Sequence, residues 1–222
     1  IPFLSGKNGH SEGRAGDEGQ LIYDMLHGKY YHATEQGRVF SQTNTPLGLA
    51  LPVYTATALA GTMPIWNPMG SGVKVVPISV SMHRASGTAA VTSFGLYGRN
   101  GVGSVIATGS QITAFADTEP INGRLGRINS IGGQGGGQSS KVKSSNAGTV
   151  TVTAGVAAEE LRALGGTGVE ADTTANGISR IHYEFEGTVQ AYPGTLIWIA
   201  ARLASVALYN ITILWEEVVV DE

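Results

Sequence analysis

The order of hydrophobic and polar residues along this chain predicts a protein built mainly from β-strands. The segment 73–83 alternates between apolar and polar positions, and Pro77 inside it indicates a bulge. Near the end of the chain, three apolar-rich segments follow one another with turn residues between them. The predicted strands are Arg38–Gln42, Gly48–Tyr54, Val73–His83, Ala89–Tyr97, one or two within Val102–Ala116, Thr149–Thr153, Ile178–Glu186, Thr195–Ala200 and Ser205–Val220.

Helical patterns are few. Only Val156–Leu164 predicts a helix, since its apolar residues share one face and Gly165 would end it as a C-cap does. The segment Leu21–Thr34 stays ambiguous, because its first half has helical spacing and its second half resembles a strand. About eight to ten strands with Gly-rich connections are typical of an all-β fold. We therefore expect an antiparallel two-sheet β-sandwich or jelly roll with one short helix.

The chain divides into an arm and one domain. Its 222 residues suit a single β-sandwich. Residues 1–20 contain five glycines among polar residues, and such a composition does not bury apolar surface by itself. We interpret residues 1–20 as an extended N-terminal arm that lies on a neighbouring subunit; the alternative is an arm packed on its own domain. Residues 21–222 are predicted to form the single sandwich domain.

Composition narrows the classes of function. Charged residues make up 14% of the chain, against about 25% in ordinary soluble domains, which favours a surface covered by other subunits. The net charge of −3 disfavours a nucleic-acid partner.

The absence of cysteine excludes disulfides and thiolate metal sites. No apolar run reaches the roughly 18 residues of a membrane span. The nearest basic cluster flanks a Gly-rich loop and is interpreted as solvated: Arg124, Arg127, Lys141 and Lys143.

The strongest candidate for chemistry is a row of polar side chains on one predicted strand. His182, Glu184 and Glu186 alternate, so they emerge on one face and could bind a metal ion. The opposite face, formed by Ile181, Tyr183 and Phe185, is typical of a core row, and we interpret the polar row as a solvent or interface face. His27 and His32, near Asp24 and Glu35, lack the i, i+4 spacing of a helical metal site, and His10 and His83 are read as ordinary polar residues.

Known catalytic motifs are missing from the sequence. There is no Gly-x-Ser-x-Gly elbow, Gly101-Val102-Gly103 lacks the third glycine of a dinucleotide site, and the loop 132–138 lacks Gly-Lys-Ser/Thr. We therefore assign no catalytic, cofactor-binding or metal-binding residue and expect no enzyme activity.

Three short motifs in the chain mark turns and the end of the last strand. They are Trp66-Asn67-Pro68-Met69-Gly70-Ser71-Gly72 before a strand, Tyr192-Pro193-Gly194-Thr195 before another, and the ending Leu214-Trp215-Glu216-Glu217. These motifs resemble those of tailed-bacteriophage virion proteins. In those proteins an apolar strand after an Asn-Pro-x-Gly-Ser-Gly turn opens the sandwich, and a Trp-x-Glu-like strand closes it. The resemblance covers about Gly37 to Val220, without the loop 132–138.

The resemblance implies a structural protein that decorates, or cements, a phage capsid. It further implies a homotrimer on the capsid surface of the virion, made in the host cytoplasm, whose partners are the major capsid protein and copies of itself. No cofactor, nucleic acid or membrane is implied. Subunits that bridge neighbours gain from many weak contacts through multivalency. Trp66, Met69 and Tyr192 are predicted at turns, where they contact partners or form the rim of their own core.

Two other functions stay open. A tail or fibre sandwich would bind a host glycan through exposed aromatic residues, with Tyr30, Tyr31, Tyr97 and Trp66 as candidates. A β-sandwich hydrolase would use two carboxylates, with Glu184 and Glu186 as its best site.

Overall fold

The computed structural model describes residues 14–15, 21–22, 29–54, 59–87, 92–100, 112–114, 118–123, 139–146, 149–152, 159–167, 180–204 and 206–220. Within these residues there are one short helix, α1 (Tyr31–Glu35), and fifteen strands. The strands are β1 (Arg14–Ala15), β2 (Leu21–Ile22), β3 (Val39–Thr43), β4 (Leu49–Ala50), β5 (Leu59–Asn67), β6 (Val73–Ser86), β7 (Thr92–Arg99), β8 (Ile112–Ala114), β9 (Ile121–Asn122), β10 (Lys143–Ser144), β11 (Thr149–Val152), β12 (Glu159–Thr167), β13 (Arg180–Glu184), β14 (Thr195–Ala201) and β15 (Leu208–Val219).

Two antiparallel sheets pack against each other, so the predicted all-β two-sheet sandwich is confirmed. The six-stranded sheet has the order β13-β6-β15-β3-β9, with β4 beside β15. The seven-stranded sheet has the order β12-β7-β14-β5-β11-β8, with β10 beside β5. The long strands β6 and β15 pair along most of their length and form the centre of the six-stranded sheet.

The main core fills the space between the sheets. It takes apolar residues from both, including Val80, Met82 and Trp215 from one sheet and Phe94 and Ile197 from the other. Strand β14 is buried along its whole length, which explains its continuous apolar sequence. Alternate residues of β14 therefore point into the main core and into a second cluster on the outward side of the seven-stranded sheet.

Buried polar side chains join the two sheets through the segment 139–146. The carboxylate of Glu217 on β15 accepts hydrogen bonds from Ser140 Oγ at 2.5 Å and from the backbone N–H of Lys141 at 2.8 Å. Ser144, on β10 of the other sheet, donates from Oγ to Gln42 Oε1 on β3 at 2.6 Å. Because such bonds are directional, they fix how the sheets sit on each other.

The predicted turns at one end of the sandwich are confirmed and lie side by side. Asn67 donates from Nδ2 to the carbonyls of Val73 at 2.8 Å and Ala191 at 3.0 Å. Its own carbonyl accepts from the backbone N–H of Gly194 at 2.7 Å. Gly194 has a φ of +85°, in the left-handed region that favours glycine. Asn67 thus holds the turn 68–72 against the turn 192–194.

The bulge predicted at Pro77 is confirmed. Trp215 pairs with Pro77 and Leu214 pairs with Ser79, so Ile78 is the extra residue on β6. The bulge shifts the alternation of the strand, and Pro77 and Ile78 are both buried as a result.

The predicted helix Val156–Leu164 is wrong, because strand β12 covers residues 159–167. The pairing of β12 with β7 shifts register between Glu160 and Arg162 and again between Ala163 and Gly165. These bulges bring Leu161 and Leu164 to the same inner side three residues apart, and that spacing imitates a helix. The short helix instead lies at Tyr31–Glu35, in the segment whose sequence was ambiguous.

Strand β5 is the main element that sequence patterns missed. Gly61 and Pro64 interrupt its apolar run, and Met63 adopts a φ of +50° where the register to β14 shifts. Trp66 therefore lies within a strand and not in the turn where it was predicted.

Other predicted strands differ mainly in their ends. Of Gly48–Tyr54, only Leu49–Ala50 forms a strand, and Val53 adds an isolated bridge to Ala201. Of the predicted arm, Arg14–Ala15 lie within the described part and pair with Leu21–Ile22. The rest of the arm and the loop 132–138 lie outside the described residues.

Candidate functional site

The outward face of the six-stranded sheet carries the polar row that the sequence indicated. Ser81 on β6 lies directly opposite His182 on β13, and Ser81 Oγ is 2.7 Å from His182 Nδ1. His182 Nε2 is 3.4 Å from Glu184 Oε1. The inward side of β13 places Ile181 and Tyr183 against the core, as predicted. Ser81 was missed because cross-strand pairing joins residues far apart in the chain.

Serine, histidine and carboxylate in contact form the side-chain set of a nucleophilic hydrolase. Here, however, the side chains of His182 and Glu184 are 42% and 64% exposed. Water at such a site weakens the electrostatic stabilisation of a developing oxyanion, which is the largest catalytic contribution in these enzymes. We interpret the row as a cross-strand hydrogen-bond network on a polar face of the sheet.

The row does not continue to Glu186. Glu186 follows the end of β13 in a left-handed conformation with a φ of +49°, and its carboxylate lies 3.9 Å from Lys29 Nζ. Within the described part of the chain, no group of three or more His, Asp or Glu side chains is arranged to hold a metal ion. His32 and Glu35 are exposed on α1, whereas Asp24, His27 and His10 lie outside the described residues.

Two of the four predicted glycan-binding aromatic residues are buried. Trp66 and Tyr97 are each only 1% exposed, so neither offers a ring to a sugar. That part of the prediction is wrong, since both rings belong to a core on the outward side of the seven-stranded sheet. Tyr30 is half-buried against Ala33 and Val39, and Tyr31 is exposed on α1.

The outward side of the seven-stranded sheet is a layer of stacked rings. Tyr54 stacks on Tyr97 with ring centroids 4.2 Å apart, and Tyr97 lies parallel to Trp198 at 6.4 Å. Glycines form the floor of this layer. A Cβ on Gly61 would overlap the Trp198 ring, and one on Gly95 would lie 2.9 Å from Tyr97 Cε2.

An ion pair closes the rim of this aromatic layer. The guanidinium of Arg202 donates two hydrogen bonds to the carboxylate of Glu160. Tyr97 Oη lies 3.5 Å from the same carboxylate. Burial, with the negative charge of Glu160 in second place, raises the pKa of Tyr97 above its usual value. Tyr97 is therefore a neutral hydrogen-bond donor at physiological pH.

Exposed large apolar side chains gather at the two ends of the sandwich. At the first end the turns 68–72 and 192–194 meet, and the backbone N–H of Val220 donates to the carbonyl of Gly72. At the second end Gly48 approaches Ala85 and Leu208, and Gly87 approaches Val206 and Ala207. Among the described residues, six of the eight exposed large apolar side chains lie there: Met69, Tyr192 and Val219 at the first end, and Leu47, Leu203 and Val206 at the second. The other two are Tyr31 on α1 and Ile121 on β9.

A cavity of about 420 Å³ lies at the first end, between β7, β12 and the connection from β13 to β14. Two arginines, Arg99 and Arg162, line it together with amide and hydroxyl side chains and an apolar wall. None of the described residues that line it is acidic. The described residues that line it are Gly98, Arg99, Asn100, Leu161, Arg162, Thr188, Val189, Gln190, Ala191, Thr195 and Ile197.

Comparison with known proteins identifies no family. No family model, curated protein or solved structure matches the chain. No helix in the described part of the chain is long and apolar enough to cross a membrane.

Proposed function

We propose that this protein is a structural subunit of a bacteriophage virion that decorates and stabilises the capsid by bridging neighbouring subunits. In this role it contacts the major capsid protein and further copies of itself, as a homotrimer, and performs no catalysis. The observation that carries the proposal is the presence of exposed apolar side chains at both ends of one long sandwich.

The distance between the ends suits a bridge. Strand β6 has 14 residues and connects the two ends. At about 3.3 Å per residue it spans roughly 43 Å. Apolar side chains at the centre of a contact supply most of its stability, while polar residues form the rim. A subunit with an apolar patch at each end can therefore touch two neighbours at once.

The polar outward face of the six-stranded sheet supports the same role. Along the centre of the six-stranded sheet, Thr43 Oγ1 lies 3.0 Å from Thr212 Oγ1, and His83 Nε2 lies 3.2 Å from Asn210 Nδ2. These groups bond to their neighbours across the strands. Such a face stays soluble without a partner, and the ends are left as the surfaces on which apolar contacts form.

The proposal is tested with variants of each end. One pair of substitutions, Met69→Ser with Tyr192→Ser, removes apolar surface at the first end; Leu47→Ser with Val206→Ser does so at the second. Each purified variant is added to capsids that lack the chain, and bound protein is measured by co-sedimentation. We expect each pair to weaken binding at least tenfold, at about 1.4 kcal/mol per tenfold change.

Ile121→Ser is the matched control, because Ile121 is exposed on the edge strand β9, away from both ends. Circular dichroism verifies that all variants keep the sandwich. Wild-type binding by both paired variants would contradict the bridging role, and a loss from one pair alone would reduce the subunit to a one-sided attachment.

A further inference from the structure

We propose that the outer edge of strand β13 pairs with the same edge of a second copy of this chain, so that two six-stranded sheets join across a two-fold axis. The contact is an antiparallel pair of β13 strands centred on His182. It goes beyond the bridging role and does not depend on it, because it needs no capsid.

The backbone of β13 is oriented to accept a further strand. Among the strands that the structure describes, β13 is the last in the six-stranded sheet. The backbone N–H of Phe185 donates to the carbonyl of Ile78 on β6 at 2.9 Å. Because backbone groups alternate in direction along a strand, those of Arg180, His182 and Glu184 point away from β6. An edge strand with this orientation is a template for pairing with another chain.

Two copies of β13 match when the two-fold axis passes through His182. Arg180 then lies opposite Glu184 of the second copy, and Ile181 lies opposite Tyr183 of the second copy. The three even-numbered residues fall at the hydrogen-bonded positions of the ladder, where facing residues exchange both N–H···O bonds. Of the registers centred within β13, only this one pairs all five residues of the strand.

Opposite charges favour the same register. The side chains of Arg180 and Glu184 are exposed on the outward side of the sheet, Glu184 by 64%. They are four residues apart, or roughly 13 Å along the strand, which is too far for a contact within one chain. Across the axis their Cβ atoms would lie about 4.5–5.5 Å apart, where opposite charges stabilise strand pairing. A carboxylate accepts several hydrogen bonds, so Glu184 can keep its contact with His182.

The inward side of β13 also gains from the contact. Ile181 and Tyr183 pack against the main core but are only partly buried. In the joined sheets, Ile181 of one copy faces Tyr183 of the other at non-hydrogen-bonded positions, where side chains approach most closely. Aromatic and β-branched residues form favourable cross-strand pairs. The contact therefore buries apolar surface that a single chain leaves partly exposed.

A disulfide placed on the axis tests the contact. The chain contains no cysteine, so His182→Cys introduces a single thiol. Two such residues on the axis would have Cα atoms about 5.5 Å apart, a distance that a disulfide spans. The purified full chain is oxidised with copper phenanthroline and analysed on a non-reducing denaturing gel. We expect a linked dimer, and one cysteine per chain limits the product to a dimer even if the copies also form the proposed homotrimer.

Ser81→Cys is the matched control, because Ser81 lies directly opposite His182 on β6 and on the same outward side. Its two copies would be about 15 Å apart, one strand further from the axis on each side and beyond the reach of a disulfide. Thiol labelling before oxidation verifies that both cysteines are accessible. Equal rates of dimer formation would indicate random collision and overturn the register, and no dimer from His182→Cys would overturn the contact.

Charge reversal in the His182→Cys background tests the ion pairs. Arg180→Glu and Glu184→Arg each place like charges across the axis twice, so each should slow dimer formation about tenfold. The double variant restores both pairs and should recover the original rate. Glu119→Arg controls for net charge, because Glu119 is exposed beside β9 at the opposite edge of the sheet.

Rescue by the double variant requires a second chain, since residues 180 and 184 do not reach each other within one strand. Additive slowing without rescue would contradict the proposal. Dimer formation by a chain that does not bind capsids would support this contact and contradict the bridging role, and capsid binding without dimer formation would do the reverse.

Discussion

The outward faces of the two sheets differ although both belong to one sandwich. The face of the seven-stranded sheet buries Trp66, Tyr97 and Trp198 over a floor of glycines. The face of the six-stranded sheet exposes His182 and Glu184 in cross-strand hydrogen bonds. The first face is part of the protein interior and the second is a surface. A strand in the first sheet is thus continuously apolar, whereas a strand in the second alternates.

Because one face is buried and the other is exposed, the two faces differ in how far substitutions on them destabilise the protein. Buried rings stacked on glycine leave no space for a methyl group, since protein interiors are packed as densely as organic crystals. Exposed polar groups exchange their partners for water at little cost. We therefore expect substitutions on the aromatic face to change the free energy of unfolding by several-fold more than substitutions on the polar face.

The largest effect is expected from Trp198→Ala. Trp198 is fully buried on β14, and removal of such a ring costs about 3–5 kcal/mol of unfolding free energy. Urea unfolding followed by circular dichroism measures the loss. Tyr31→Ala is the control, because Tyr31 is an exposed ring on α1, and its removal should cost less than about 1 kcal/mol. Equal losses for the two variants would refute the buried aromatic layer.

Gly61→Ala should follow, since the added methyl group would overlap the Trp198 ring. Overpacking of this kind costs about 1–3 kcal/mol. Gly123→Ala is the matched control, because the nearest atom to its new Cβ would be Thr34 Cγ2 at 3.4 Å. In a double-mutant cycle, Trp198→Leu should relieve part of the cost of Gly61→Ala. If the two substitutions lowered the free energy of unfolding additively, the Trp198 ring would not be in contact with Gly61.

A third test uses Glu217, a carboxylate that faces inward from the six-stranded sheet. Burial raises its pKa above the usual 4.5, against hydrogen bonds from Ser140 and from backbone N–H groups that act the other way. The folded state then holds the proton more tightly than the unfolded state. The contribution of Glu217 to stability is fully present below pH 4.5 and falls as the pH rises through the folded pKa.

Glu217→Gln removes the titrating carboxyl group together with one hydrogen-bond acceptor. We expect the free energy of unfolding to fall by about 1–2 kcal/mol. The gap in unfolding free energy between wild type and variant should widen as the pH falls from 7 towards the usual carboxyl pKa of 4.5. Urea unfolding at a series of pH values measures the gap, with the exposed Glu184→Gln as control. A gap that narrows on acidification would show that hydrogen bonding outweighs burial.

The smallest effects belong to the polar face. Ser81→Ala and His182→Ala break the contact of 2.7 Å between Oγ and Nδ1, yet each should change the unfolding free energy by only about 0.5 kcal/mol. Chemical denaturation detects a change of this size. If the pair were a catalytic unit, both variants would instead abolish a hydrolysis of p-nitrophenyl acetate that wild type performs.

The β-sandwich could be predicted from the sequence, because the spacing of apolar and polar residues along one strand is a local property of the chain. The strand from Val73 and the last strand follow from the alternation of their apolar residues. The bulge follows from Pro77, and β14 from its continuous apolar run between turn residues. Bulges break that period: they imitated a helix in β12, and Pro64 beside the left-handed Met63 concealed β5. In both cases pairing with a neighbouring strand overrode the local pattern.

The candidate sites were less predictable, because they form by contacts between distant strands. The sequence pointed to His182 and Glu184 but not to Ser81, which reaches them only through the pairing of β6 with β13. It also counted Trp66 and Tyr97 as surface rings, since nothing local shows that the outward side of a sheet is covered. The cavity beside Arg162 combines three separate parts of the chain and has no sequence signature.

The central claim, a structural subunit that bridges a capsid, is tested most directly by quantitative mass spectrometry of density-gradient-purified virus particles from the culture that produces this chain. We predict that the chain is present in a fixed, high ratio to the major capsid protein and leaves the particles when both ends carry the serine substitutions. Its absence from the particles, or a ratio that falls with each round of purification, would contradict the account.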